Sequence, residues 1–371
     1  MNSGSADSAT IVIPTRNRPG FLARLLAAYD RTGFPFGIHV EDSSDAYDMA
    51  AMGQWISTRL PDLRISYFPH DPRMQLPAKL RAAIARVKTP QMAFLADDDF
   101  YLPHALARHA QWLEANPAAV AVMGAAYRFQ PCPEAGVGGG LTWGRYPQRG
   151  LEDERAHERL ARHVAYYTTN FYGLQRTSLL RSAWETAADL YDDLYLGELA
   201  LSVLLVSAGK IGFLEEPSFL RQRDAPKGYG VRSFYSWATG VFARNGRLRG
   251  SFPGMDDELR RRGGDVPPFA ELMLRYAGSQ LFCQSRMLGQ IRRHGFRGLG
   301  DLFRMWRDYS PHAEFTRREV GECRAALQER PATPLEAALH PADVEVLRVY
   351  AEAIKAPMIS PVTGPGLAPE S

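Results

Sequence analysis

The sequence predicts an α/β protein: a doubly wound sheet flanked by helices over residues 1–225, followed by a mainly helical C-terminal part. Three observations carry this. Short apolar, β-branched runs alternate with amphipathic segments between residues 10 and 130, as strands alternate with crossover helices. Three runs end directly in polar or acidic residues, where open sheets bind their ligands. From about Tyr229 onward no strand run of comparable strength occurs.

The run Thr10-Ile11-Val12-Ile13 does not alternate, which suits a strand buried on both faces, and Pro14 is expected to end it. Asn17 and Pro19 announce a helix with proline in its first turn. Phe21, Leu25, Leu26 and Tyr29 form its buried stripe. Ile38–Val40 reads as a strand, Asp48–Leu60 as a helix and Arg64–Phe68 as a strand. Leu80–Val87 follows as a helix, Gln91–Ala96 as a strand, Pro103–Asn116 as a helix and Val120–Phe129 as a strand. Pro131, Pro133 and the Gly138–Gly140 run make residues 131–150 a loop. His157–His163 reads as a solvated helix, because histidines six apart do not form a zinc-binding HExxH pair. A helix over Glu198–Ala208 and a strand over Ile211–Leu214 complete the region. Residues 226–355 form the helical part, and 356–371, with four prolines, a disordered tail.

Composition excludes several classes. With 45% hydrophobic and 11% aromatic residues, the 371-residue chain has ample material for a core and is not intrinsically disordered. Three distant cysteines, Cys132, Cys283 and Cys323, exclude a disulfide scaffold. The polar N-terminus lacks a signal-peptide layout, and no apolar run approaches membrane-spanning length. A cytoplasmic protein is expected. The net charge of +3 conceals a division: residues 226–330 hold 19 Lys/Arg and 11 Asp/Glu. That segment is either a solvated helical face or a contact with an anionic surface, such as the inner face of a membrane. No nucleic-acid partner is expected.

Chemistry concentrates at the strand ends. Asp97, Asp98 and Asp99 follow one strand directly, and three adjacent carboxylates repel unless a cation shares them. Oxygen-only ligands suit Mg²⁺ or Mn²⁺, and Mg²⁺ takes one or two carboxylates plus phosphate oxygens. The cluster therefore points to a nucleotide diphosphate bridged through a metal. An acidic turn at the start of the next helix is the plainer alternative. The other two strand ends are Pro14-Thr15-Arg16-Asn17 and Glu41-Asp42-Ser43-Ser44-Asp45.

Taken together these segments resemble the family 2 inverting glycosyltransferases, which have a GT-A fold. Ile11–Pro19 is similar to the family's opening strand and turn, and Val40–Ser44 to its Asp-Asp-Gly-Ser element. Phe94–Pro103 is similar to its metal-binding DxD segment. Gly197-Glu198, followed eleven residues later by Gly209, resembles the region of its catalytic base. The resemblance covers about residues 10–225. It implies a mixed GT-A sheet and a metal-dependent, inverting transfer from a nucleotide-diphosphate sugar, with UDP as the nucleotide. Pro14, Thr15, Arg16 and Asp42 then fall at the nucleotide, and Lys79 near the diphosphate. Asp98 falls on the metal, Asp99 second to it, with Asp97 as their neighbour at the donor. Ala96 stands where many members carry the first Asp of DxD, so the register is open. Glu198 is the candidate general base, with Asp192 and Asp193 in reserve. Gly197 replaces the first acid of the usual pair, and Glu198 can equally serve only as a charge at a helix start. Arg221 and Arg223, in a loop after the last strand, are candidate phosphate ligands or surface arginines. Lys227, Gly228 and Gly230 beside them suit a lid.

Trp143, Tyr146, Tyr166, Tyr167, Phe171 and Tyr172 fit either a sugar-stacking platform or core packing. The acceptor is a glycan, lipid-linked group, protein or natural product, and self-association through the helical part is a further expectation. Two rival functions remain at this point: a non-catalytic GT-A-like binding module and a sugar nucleotidyltransferase.

Overall fold

Four parallel strands form one side of the sheet. In the computed structural model, which describes residues 7–132, 140–190, 194–223, 252–284, 303, 306–329 and 335–358, β1 (Ala9–Thr15) lies between β2 (Gly37–Asp42) and β4 (Gln91–Phe94). β3 (Ile65–Pro69) extends β2 outward. The other side is mixed. β8 (Leu174–Arg176) pairs antiparallel with β4 and with β6 (Ala119–Cys132). β9 (Lys210–Gln222) runs parallel to β6, and β5 (Phe100–Tyr101) pairs antiparallel with β9. The spatial order is β3-β2-β1-β4-β8-β6-β9-β5. The expected mixed α/β sheet is therefore the one observed.

β1 is buried almost throughout, as its unbroken apolar run requires. It does not stop at Pro14. Pairing continues to Thr15 opposite Asp42, so both residues emerge together at the carboxyl edge. α1 (Pro19–Arg31) starts on its proline and buries Phe21, Leu25, Leu26 and Tyr29. α2 (Ala46–Arg59), α3 (Leu76–Arg86) and α4 (Pro103–Ala115) fall within a few residues of their expected places.

The expected loop over 131–150 is corrected where the structure describes strand, at 131–132 and 140–146. β6 continues to Cys132, and β7 (Gly140–Tyr146) pairs with it antiparallel from Ala126 to Cys132. Pro131, Pro133 and the glycines up to Gly144 read locally as turn signals, which hid the pairing of β7 with β6. A second correction concerns α5 (Ala156–Ala165), which is not solvated: Arg159 and His163 are buried. Arg159 donates to the carbonyls of Asp153, Glu154, Val206 and Ser207, so its buried charge is well hydrogen-bonded. His163 meets the Ser202 hydroxyl, and burial holds its pKa down at about 3, which keeps the ring neutral.

α6 (Thr177–Ala187) and α5 pack on α7 (Leu194–Ala208). Leu199, Leu201 and Val203 to Val206 are all buried, as expected of a helix apolar on every face. Gly209 then turns the chain into β9. A Cβ there would lie 2.7 Å from the Ala118 carbonyl oxygen, so only glycine permits the approach.

Helices dominate the described C-terminal part, and they attach to both sides of the sheet. α8 (Pro253–Gly263) and α9 (Phe269–Gly278) share an apolar cluster with α6 and α7 through Met255, Leu259, Phe269 and Leu272. α10 (Ala313–Glu329) and the short α11 (Leu335–Ala338) precede α12 (Pro341–Lys355), which returns to α1 and α4. There Tyr350 stacks on Phe100 with ring centroids 4.7 Å apart and donates to the Tyr101 carbonyl. Among the described residues, arginines of the basic segment pair locally: Arg260 with Asp257, Arg261 and Arg262 with Glu258, and Arg275 with Glu271. Lys227, Gly228 and Gly230 of the expected lid, the reserve acids Asp192 and Asp193, and all of the tail from residue 359 lie outside the described residues. No helix among the described residues is long and apolar enough to cross a membrane.

Candidate active site

Three strand ends converge at the carboxyl edge. At the first two, the loops after β1 and β2 are stitched together. The Asn17 backbone N–H donates to Ser44 Oγ at 2.7 Å, and Asn17 Oδ1 accepts from the Asp45 N–H at 3.0 Å. Asn17 adopts φ 53°, a left-handed conformation that asparagine tolerates better than most residues. Asp42 is buried, with Oδ1 accepting from the Ser44 N–H (2.8 Å) and Oδ2 from the Tyr67 hydroxyl (2.7 Å). Lys79, reaching in from α3, donates to the Thr15 carbonyl at 2.6 Å and to Ser43 Oγ at 2.8 Å. Burial lowers its pKa to about 8, with Asp42 and Asp97 pulling the other way. Lys79 thus ties the two loops from beneath. Pro14 is half-buried and Arg16 exposed at their rim.

The third strand end carries the aspartates, and the structure distinguishes them by their bonding. Asp97 is engaged on both oxygens, Oδ2 by the Thr15 hydroxyl (2.7 Å) and Oδ1 by Arg18 (2.6 Å). Burial pushes its pKa up to about 7 against the pull of Arg18. The other terminal nitrogen of Arg18 donates to Asp98 Oδ2 at 2.7 Å. Asp99 Oδ1 accepts from the Gln222 N–H at 2.8 Å, which fastens the turn to β9. Burial, and then the charge of Asp98, raise the Asp99 pKa, while Arg221 opposes them. Arg24 lies behind, donating to the Asp98 carbonyl and to Gln222 Oε1.

The donor set fits a divalent ion in part. Among the described residues no hydrogen bond reaches Oδ1 of Asp98 or Oδ2 of Asp99, so each of these carboxylates offers one hard oxygen. No group of three His, Cys, Asp or Glu side chains among the described residues is arranged to hold a metal alone. An ion there would complete its shell with ligand oxygens.

Glu198 faces this edge from α7. It is the fifth residue of that helix, one turn inside it, and not at its start. Its Oε1 accepts from the Tyr167 hydroxyl at 2.7 Å and from Thr169 Oγ1 at 3.3 Å. Arg221 joins the two halves. Its guanidinium lies 5.3 Å from the Tyr146 ring and 5.6 Å from that of Tyr172, and it feels the charges of both Asp99 and Glu198. Arg221 belongs to β9 itself, because the expected Ile211–Leu214 strand continues eight residues further, to Gln222. Arg223, just beyond it, is exposed, and its N–H donates to the Phe129 carbonyl.

Residues 10–175 match the family described as Glycosyl transferase family 2. That stretch of the chain is a glycosyl transferase family 2 domain. The protein is accordingly a glycosyltransferase that draws its sugar from a nucleotide-sugar donor. No curated protein matches the sequence. Among solved structures, S. aureus TarS 1–349 is similar in fold, at 13% identity and TM-score 0.52, over 93% of this chain and 90% of that one. The same TarS fragment in complex with UDP-GlcNAc aligns at 11% identity and TM-score 0.50, over the same shares. This likeness supports the GT-A fold for the glycosyltransferase.

Four residues of the candidate site are not singled out by the sequence. Arg18 lies within the opening motif, but nothing local shows that it meets a segment 79 residues away. Arg24 looks like an ordinary helix arginine. Tyr167 and Tyr172 were legible only as members of an aromatic group that packs in several ways. Phe171 in that group does pack, stacking on Phe94 at 4.4 Å.

Proposed function

We propose that the chain performs a metal-dependent, inverting transfer from a UDP-sugar to an acceptor hydroxyl, with Glu198 as general base. The observation that supports this best is the electrostatic meeting of Asp99, Arg221 and Glu198 around Tyr172 at one sheet edge. An inverting transfer needs a carboxylate to take the acceptor proton as the hydroxyl attacks the anomeric carbon. Tyr167 and Thr169 hold Oε1 of Glu198, which fixes the side chain, and Oε2 would take the proton.

Thr15 and Asp42 would receive the nucleotide, with Pro14 and Arg16 at the rim. Asp98 and Asp99 would hold Mn²⁺ or Mg²⁺ through their spare oxygens, Asp97 bracing the site from behind. A bound divalent ion neutralises the charge that develops on the departing diphosphate. Arg221, and Arg223 at the strand's end, would bind phosphate oxygens. The UDP assignment rests on the resemblance and on the UDP-GlcNAc complex of the similarly folded TarS. Helices beyond residue 225 would shape the acceptor side, since Tyr276 of α9 meets the Tyr167 ring at 5.3 Å. Where those helices meet an anionic acceptor or a second copy, the chain works as a peripheral cytoplasmic enzyme.

A donor screen tests the reading. With Mn²⁺ and a panel of UDP-sugars, at least one donor should be consumed, and NMR of the product should show the opposite anomeric configuration. Retention of configuration, or pyrophosphate release from a nucleoside triphosphate in place of transfer, would contradict it.

A further inference from the structure

A cavity of about 650 Å³ opens behind the segment that supports Glu198. Successive residues of that segment divide between two sides, as in extended chain. Tyr167 and Thr169 bond Glu198, while Tyr166 and Thr168 line the cavity. None of the proposed donor or metal ligands lines it. Its volume is that of a small-molecule site, enough for one or two sugar rings.

The lining indicates the ligand's chemistry. Gln148 is 8% exposed, and its amide N–H donates to the Thr169 carbonyl at 3.4 Å, leaving Oε1 buried without a partner. Such an orphan acceptor is costly unless a donor arrives to meet it. Glu152, Asp153 and Glu322 add carboxylates, and Tyr166 and Phe213 add aromatic faces. The two arginines present are already paired: Arg149 with Glu319 and the Cys323 thiol, Arg162 with Asp153 and Glu319. Asp153 is itself the partner of Arg162, and both arginines are already engaged, so the lining offers a phosphate no unpaired arginine. Carboxylates and an amide oxygen accept from hydroxyls, and aromatic faces cover the apolar side of a sugar ring.

We propose that this cavity is a second carbohydrate site, taking a neutral saccharide and separate from the donor cleft. A saccharide hydroxyl donates to Gln148 Oε1. The occupant then rests on Tyr166 and Thr168, which alternate along the chain with Tyr167 and Thr169, the residues bonded to Glu198.

Saturation-transfer NMR on the full chain tests this, with methyl glycosides of glucose, galactose, mannose and N-acetylglucosamine and their disaccharides, with and without saturating UDP and Mn²⁺. At least one glycoside should bind, and its signal should persist when UDP is present. Gln148→Leu should weaken it at least fivefold. Glu322→Ala, at an exposed position that leaves the core untouched, should weaken it about threefold. Absence of binding across the panel, loss of the signal on adding UDP, or binding unchanged in both variants would overturn the proposal. The readout is binding alone, so it stands or falls apart from the transfer reaction.

Discussion

Arg18 reaches Asp98 at 2.7 Å with one guanidinium nitrogen and holds Asp97 at 2.6 Å with the other. The aspartate cluster therefore carries its own counter-ion, stacked in turn over the Phe21 ring at 4.3 Å. Burial disfavours the charge on Arg18, but Asp97 and Asp98 more than compensate, and its pKa is raised. A divalent ion approaching Asp98 competes with this guanidinium.

Arg18→Ala should consequently tighten Mn²⁺ binding to the donor-free protein. About tenfold is expected, the scale of one charge-assisted hydrogen bond. Manganese titration followed by electron paramagnetic resonance measures it directly. Unchanged or weakened Mn²⁺ affinity would show that Arg18 supports the site and does not compete for it.

Lys79 sets a pH limit. Its ammonium bridges the β1 and β2 loops, and its pKa lies at about 8, against 10.5 for the free group. The cation is present below that value and lost above it. UDP affinity measured by calorimetry should therefore hold steady below about pH 8 and fall above it. Lys79→Arg, which stays charged, should abolish the fall if the larger head is accommodated. Stability follows the opposite sign: between about pH 8 and 10.5 the unfolded chain binds more protons, so this group favours the fold increasingly as pH rises through that window.

Tyr167→Phe removes the hydroxyl that holds Glu198 Oε1 and keeps the ring packed against Tyr276 and His163. Turnover should drop about tenfold, with the KM for the donor little changed, because positioning and not donor binding is lost. A matching rise in donor KM would place Tyr167 at the donor instead.

Tyr350→Ala tests how far α12 supports the site. The ring is fully buried between Tyr29 and Phe100, beside the aspartate turn. Truncation should cost about 3–5 kcal/mol by denaturant unfolding. A cost below 1 kcal/mol would mean that α12 docks only loosely.

How much was legible follows from the range of each signal. β1, α1 and β2 could be read because unbroken apolar runs and a first-turn proline are local. β7 could not, because its pairing with β6 spans a Pro- and Gly-rich stretch that locally reads as a loop. The buried face of α5 was hidden for a similar reason: Arg159 is satisfied by carbonyls 47 and 48 residues away. At the candidate site, the aspartate run and Glu198 stand out in the sequence by charge and motif. Arg18, Tyr167 and Tyr172 acquire meaning only from folding. Among the described residues Asp98 and Asp99 each keep one oxygen without a hydrogen bond while Asp97 does not, and no spacing encodes that.

Transfer by Glu198→Gln, measured alongside UDP affinity, tests the central claim most directly. The variant keeps the shape of the side chain and removes its basicity. It should bind UDP as the unmodified chain does and lose transfer by about 10²- to 10⁴-fold. Transfer at the unmodified rate, with UDP still bound, would show that another group takes the acceptor proton.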